Sequence, residues 1–280
     1  MSEVIIREVK TKSQLRKFVD LPNRMYKNVP EFVPAFYGDD IDDWDQKKNP
    51  AFKYCEARAF LAYRDDKIVG RIGAILSHKA NETWNTKRMR FTQVDFIDDA
   101  EVSAKLFKTV EDWARQKGCD EVHGPLGFCD LDREGMLVEG FDRRNMFITY
   151  YNFPYYNEHL SQLGYKKDVD WVEFKIMVPK KGDSNYERVH RLSELVAERY
   201  HLHKAELNNR SDYKPYVKKV FELLNEAYAN LYGVVRLRAE QIETTASTVS
   251  ETTTTTVAAE VVPDADSLRE LLAASGDLFS

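Results

Sequence analysis

Three polar side chains in the run Asn152-Phe153-Pro154-Tyr155-Tyr156 are the best candidates for chemistry in this chain. A phenol with a pKa of about 10 needs only a hydrogen-bonded pocket to protonate a leaving group, so Tyr155 and Tyr156 are candidate acids. The same two tyrosines also suit a packed helix start, and Asn152 suits its cap. Five acids (Asp39, Asp40, Asp42, Asp43, Asp45) crowd around Trp44. A cluster of that sign attracts an amine, although composition alone reads it as a solvated surface loop. His78, Lys79, Lys87, Arg88 and Arg90 form a basic cluster of the kind that meets phosphates or faces water. Asp130, Asp132 and Glu134 lack the spacing of a calcium loop and read as a turn, and His201 and His203 have no third ligand in view. No metal is expected.

The chain has 280 residues, 43% of them hydrophobic and 31% charged, enough for one large soluble domain or two modest ones. A net charge of −5 gives no global attraction to nucleic acid or to an anionic membrane. No apolar stretch approaches the roughly 18 residues of a membrane span, and the opening Met-Ser-Glu-Val-Ile-Ile-Arg is charged where a signal peptide would be apolar. A cytoplasmic protein is expected. Cys55, Cys119 and Cys129 lack metal or redox spacing, so reduced thiols are expected.

The elements that must position these residues follow from periodicity. A strand over 3–9 and a helix over 11–20 open the chain, and 22–50, broken by prolines and acids, reads as an excursion over the surface. Two β-prone runs, 57–63 and 68–77, flank a polar break and predict a hairpin, and the alternation of 90–97 predicts a third strand beside it. Val102, Leu106, Val110 and Trp113 form the apolar stripe of a helix over 99–117, with Asp98 and Glu101 as a capping box and Gly118 as its stop. Short strands at 121–123, 146–151 and 169–178, a helix from Pro154 to Gly164, and helices at 186–199 and 215–231 complete the globular part. Residues 244–256 hold eight threonines in thirteen positions and read as low-complexity, disordered chain.

This order resembles the GCN5-related N-acetyltransferases. More specifically, the strings NPAFKYCEARAFLAYRDDKIVGRI, GPLGFCD, GMLVEGFD and YYNFPYYNEHLSQLGY are similar to a bacterial family of acetyltransferase-like proteins of unassigned substrate. The resemblance covers about 3–235. It implies an acyl-CoA N-acyltransferase-like α/β fold with a mixed, mostly antiparallel sheet flanked by helices, in a domain over 1–180. It also implies the helical start of a second such domain over 185–235, ahead of a disordered tail over 236–280. Because the resemblance stops soon after Ile242, a shifted reading frame is expected there. Acetyl-CoA is the implied cofactor and a small amine the implied substrate. Val94 and Phe96 would line the pantetheine cleft, with Ser103 and Asn152 as further cofactor contacts. Tyr156, one turn before Leu160 where the family's acid usually stands, would be the catalytic acid, with Tyr155 beside it. The sequence departs from the family at 97–103, where Ile-Asp-Asp-Ala-Glu-Val-Ser replaces the glycine-rich pyrophosphate loop with three carboxylates that repel phosphate. A catalytically degenerate fold that binds a ligand or partner through the same cleft is therefore the competing expectation.

Overall fold

A computed structural model of the chain describes residues 2–34, 36–129, 131–237 and 242. Asp130 and nearly all of the threonine-rich tail, with the expectations of disorder and of a shifted frame, lie outside the described residues. The chain divides into two units, Met1–Trp171 with Leu231–Val235, and Val172–Asn230 with Arg236–Ser280.

The first unit holds the sheet. In chain order it contains β1 (Ile5–Glu8), α1 (Lys12–Met25), α2 (Tyr37–Asp43), a 3-10 turn (Pro50–Lys53), β2 (Cys55–Arg64), β3 (Lys67–Ser77), α3 (His78–Trp84), β4 (Arg88–Phe96), α4 (Ala100–Gln116), β5 (Glu121–His123) and α5 (Tyr155–Gln162). The strands lie in sequence order, antiparallel except for the parallel pair β4 and β5. This is the mixed, mostly antiparallel sheet flanked by helices that the sequence implies. The β2–β3 hairpin closes through Asp65 and Asp66, both at positive φ, a conformation that aspartate tolerates and that matches the strand twist. Across one face runs α4, which buries Val102, Leu106, Phe107, Val110 and Trp113 against Phe60, Ile72, Phe91 and Phe96. Each such side chain contributes about 1.5–3 kcal/mol relative to exposure.

The other face is covered by α1, whose Phe18 and Val19 pack on Ala59, Leu61 and Tyr63, and by Trp44 just after α2. Residues 22–50 are thus no surface excursion. The apolar burial continues α1 through Pro22 to Met25 and holds α2 over the sheet, with Asp40 buried. Burial on both faces also removes the alternation expected of β4, in which every residue from Met89 to Phe96 is buried. The basic cluster is likewise no single solvated loop: His78 and Lys79 open α3, while Arg88 and Arg90 lie on β4, with Arg90 buried and donating to the Gly127 and Gly233 carbonyls.

Two local features shape what β4 can do. Its pairing with β3 slips between Arg71 and Gly73, where Gln93 takes φ +43, a bulge. Trp44 lies over this bulge and its indole N–H donates to Gln93 Oε1 at 3.1 Å. Beyond the bridge from Leu126 N–H to the Phe91 carbonyl, β4 and the chain after β5 no longer pair.

Two expected strands are absent. At 146–151 the Thr149 N–H and hydroxyl and the Asn145 side chain all bond the Met146 carbonyl, which closes a turn instead. Residues 169–178 have no partner strand among the described residues, and Phe174, Ile176 and Val178 stand exposed. The cap of α4 is Asp99, one residue later than expected. In the second unit, α6 (Ser184–Arg199) buries no residue, and α7 (Arg210–Ala227) starts earlier than expected because Asp212 accepts from the Asn208 and Asn209 N–H groups. Among the described residues no helix is long and apolar enough to cross a membrane.

The contact of Trp44 with the bulge predicts a specific sensitivity. A Cβ on Gly73 would stand 2.8 Å from the Trp44 ring and 2.7 Å from Thr92 Cγ2, whereas one on Gly38 meets nothing within 4 Å. Gly73→Ala is expected to cost about 1–3 kcal/mol in urea denaturation and Gly38→Ala to cost nothing. Equal midpoints for the two variants would mean that Trp44 does not pack on the bulge.

Candidate active site

Arg71 and Asp95 face one another across β3 and β4, and Arg71 Nε donates to Asp95 Oδ2 at 2.7 Å, both side chains being almost fully buried. Arg71 Nη1 also donates to the Phe18 carbonyl at 2.9 Å. That carbonyl is the one Pro22, lacking an N–H, cannot serve within α1. Asp95 Oδ1 accepts from Tyr26, the residue that ends α1, at 2.7 Å, and the Tyr26 and Tyr156 hydroxyls are 2.9 Å apart. Since the Tyr26 proton goes to Asp95, the Tyr156 proton goes to Tyr26, while the Tyr156 oxygen also accepts the Phe96 N–H at 2.9 Å. Burial, then the Asp95 charge, push the pKa of both tyrosines well above 10.

Tyr155 donates to the Phe96 carbonyl at 2.6 Å, and burial followed by the Asp98 charge raises its pKa as well. The two tyrosines therefore engage both backbone groups of Phe96, whose ring stacks on Tyr156 at 4.2 Å. Val94 and Phe96 are core residues on β4. Asn152 holds the Leu137 backbone with both ends of its amide, at 2.7 and 3.1 Å, and ties down the loop before α5; the N-cap of that helix is Pro154. Ser103 is buried with its hydroxyl 2.7 Å from His159 Nδ1, whose Nε2 lies 2.9 Å from Asp98.

At the head of α4, Asp99 Oδ1 accepts from the Glu101 and Val102 N–H groups at 3.0 and 3.2 Å. Arg64 bridges Asp99 at 2.6 Å and Glu101 at 2.8 Å. Burial raises the Asp99 pKa, but the Val102 N–H and Arg64 outweigh it and leave it lowered. A CoA pyrophosphate would need these same N–H groups and this same positive charge. The residues at the head of α4 do not fit that group.

A different region is open. Beside the bulge, where β4 and the chain after β5 separate, lies an open cleft with a volume of about 210 Å³. It is lined by Trp44, Thr92, Gln93 and Phe128 and by the charged groups of Asp39, Asp40, Asp43, Asp132 and Arg133. Arg133 pairs with Asp40 and lies 5.1 Å over the Tyr150 ring. Asp132 accepts from the Phe128 and Cys129 N–H groups at 2.6 and 3.2 Å. Asp43 is half-buried, and among the described residues its carboxylate has no hydrogen-bond or ion-pair partner. Burial first, then the charges of Asp132 and Asp40, partly opposed by Arg133, push its pKa up to about 7. Such a carboxylate can receive a proton near neutrality.

Sequence reading singled out the acids around Trp44 but did not bring them to this cleft, and it missed Tyr26, Arg71, Gln93, Arg133 and His159 altogether. Arg71 and Asp95 carried a readable signal, as charges inside two apolar strand runs. Among the described residues no group of His, Cys, Asp and Glu is placed to hold a metal ion.

No family profile matches the sequence. The chain is 30% identical over 166 residues to Protein YghO of Escherichia coli (strain K12), covering 59% of this chain and 42% of that protein. It is 28% identical over 226 residues to the bacterial ceramide synthase of Caulobacter vibrioides, covering 80% of this chain and 58% of that protein. It thus spans about half the length of these curated relatives. Among solved structures it is similar to a putative acetyl transferase from Pyrococcus furiosus, at 13% identity and TM-score 0.38, over 62% of this chain and all of that one. A predicted acetyltransferase with acetyl-CoA from Clostridium acetobutylicum gives 7% identity and TM-score 0.36, over 61% of this chain and 96% of that one.

Two predictions follow from the geometry. Tyr156→Phe leaves the buried Phe96 N–H without its acceptor and should lower stability by about 1–3 kcal/mol, read by chemical denaturation. Its absence would mean that the hydroxyl does not hold β4. Asp43, with its pKa raised from an ordinary carboxylate value to about 7, gives the folded state an extra proton between those values. Its contribution is therefore fully favourable below pH 4 and is lost as pH rises through 7. Asp43→Asn should match the parent at pH 4 and exceed it at pH 8; the same difference at both values would rule out a raised pKa.

Proposed function

We propose that the chain is an N-acyltransferase-like protein whose open cleft receives an amine, with an acyl-CoA as the expected donor. The observation that carries this reading is the cleft beside the bulge of β4, where carboxylates outnumber the single Arg133 and the strand edge is parted from its neighbour. A cation is the ligand that such an excess of negative charge favours. The similarity to a ceramide synthase supports the same reaction class, because a ceramide is an amide. In this reading Tyr155 and Tyr156 fix the end of β4 at Phe96, and Asn152 fixes the loop bordering the cleft. Acyl transfer to an amine then depends on what the chain does to the acceptor: it must orient the nitrogen and remove a proton from it.

A second reading, a binding module built on the same fold, is favoured by the head of α4, where Asp99, Glu101 and Arg64 already satisfy what a pyrophosphate would need. Calorimetry with acetyl-CoA, paired with a thiol-release assay on a panel of primary amines, separates the two. The acyltransferase reading expects amine-dependent thiol release even where acetyl-CoA binds weakly. Asp99→Gln with Glu101→Gln should tighten acetyl-CoA binding by about tenfold, the scale of removing like charges beside a phosphate. No thiol release with any amine, together with no heat of acetyl-CoA binding, would favour the module and overturn the transferase.

A further inference from the structure

Residues 172–178 lie outside every helix, turn and paired strand among the described residues. Val172, Phe174, Ile176 and Val178 alternate with Glu173, Lys175 and Met177, and the four at the even positions are 68%, 82%, 82% and 86% exposed. The main-chain N–H and C=O groups of this run make no hydrogen bond among the described residues, and Glu173 and Lys175 make no ion pair there. Such a run is a template for another strand along either edge.

The order of its side chains says what pairs with it. On each side of Phe174 stand a charged residue and then a branched aliphatic one, and the two charges are of opposite sign. An antiparallel pair of two copies centred on Phe174 therefore sets Glu173 against the partner's Lys175, and Lys175 against the partner's Glu173. The other face of the pair sets Phe174 against the partner's Phe174 and Val172 against the partner's Ile176. A slip of two residues would oppose Glu173 to the partner's Glu173 or Lys175 to the partner's Lys175, and a slip of one would oppose charges to apolar side chains. The charges thus select one register.

We propose that residues 172–176 of two copies of this chain pair as antiparallel strands about a two-fold axis at Phe174, so that the chain self-associates through a two-stranded ribbon. The pattern is self-complementary, as an isologous contact requires. A ribbon of two strands is marginal alone and needs an apolar surface on one face. In the same unit α6 buries no residue and leaves Val189, Leu192 and Leu195 exposed three residues apart, which supplies such a surface. The contact is short, so the dimer is weak and depends on concentration. Neither the amine cleft nor acyl transfer is needed for it.

Sedimentation equilibrium of the full chain, from low micromolar to several hundred micromolar, tests this. The parent is expected to pass from monomer to dimer across that range. Glu173→Lys and Lys175→Glu each oppose like charges twice and should weaken the dimer at least about tenfold. Both substitutions in one chain restore the pairs and should restore the dimer, and an equimolar mixture of the two single variants should form a heterodimer. Under mild oxidation Phe174→Cys should give a disulfide-linked dimer that Ile176→Cys does not, since position 174 faces its own copy across the axis. The parent, with Cys55, Cys119 and Cys129, is the control for that reaction. A parent that stays monomeric throughout overturns the proposal, and protection of its 172–178 amides from hydrogen exchange would then assign the run to pairing within its own chain. A dimer that neither single charge reversal weakens, or that the double reversal fails to restore, overturns it as well. Equal cross-linking of Phe174→Cys and Ile176→Cys does the same.

Discussion

Removing Arg71 and Asp95 from water is costly, and their mutual attraction offsets this only if every remaining donor and acceptor is used. The chain goes far toward that condition with groups from four elements. Arg71 spends one N–H on Asp95 and another on the Phe18 carbonyl, and Asp95 spends its second oxygen on Tyr26. Tyr26 in turn orders Tyr156, and Tyr156 holds the Phe96 N–H. The first helix, the two central strands and the helix after the long loop are thus tied to one buried charge pair. Losing one charge leaves the other uncompensated, an error worth about 3–5 kcal/mol. The same network explains why a proline is tolerated near the end of α1, since the carbonyl it leaves unserved is the one Arg71 occupies.

This constraint also determines where a ligand can reach β4. With α4 on one face of the sheet and α1 and Trp44 on the other, both faces of the strand are closed. Its far end is closed too, because Tyr155 and Tyr156 use the carbonyl and N–H of Phe96. Among the described residues the wider opening lies between the bulge at Gln93 and the loop carrying Asp132 and Arg133. The bulge makes that opening usable by turning Gln93 toward Trp44, which lines it and carries the neighbouring Asp43 with it.

How much of this was legible in the sequence follows from the distance between partners. The hairpin turn, the stripe of α4 and the start of α5 are encoded within a few residues, and all three were read correctly. The charge network joins residues 24, 69 and 130 positions apart, and no local pattern links them. The two missing strands show the converse. Residues 146–151 and 169–178 have β-prone composition, but a strand is made by its partner, and neither segment has one among the described residues. The seven residues of α2 were too short and too acidic to show helical periodicity, so its acids read as loop until packing of Trp44 on the sheet brought them to the cleft.

The head of α4 and the acid cleft complement one another. A helix start can serve a phosphate or its own capping carboxylate, because both use the same N–H groups and the same end of the dipole. Here Asp99 takes those groups, Arg64 neutralises Asp99 and Glu101, and the Glu101 carboxylate accepts the Val4 N–H at 3.1 Å, joining the head of α4 to the chain start. The head of the helix is therefore spent on holding the fold together, and the open cleft lies elsewhere along β4, where carboxylates outnumber the one arginine. A donor arriving beside this strand would find little to bind its phosphates, whereas a cationic acceptor would meet Asp43 without a competing partner. In the proposed reading, selectivity therefore belongs to the acceptor, whose charge the cleft addresses, rather than to the acyl carrier.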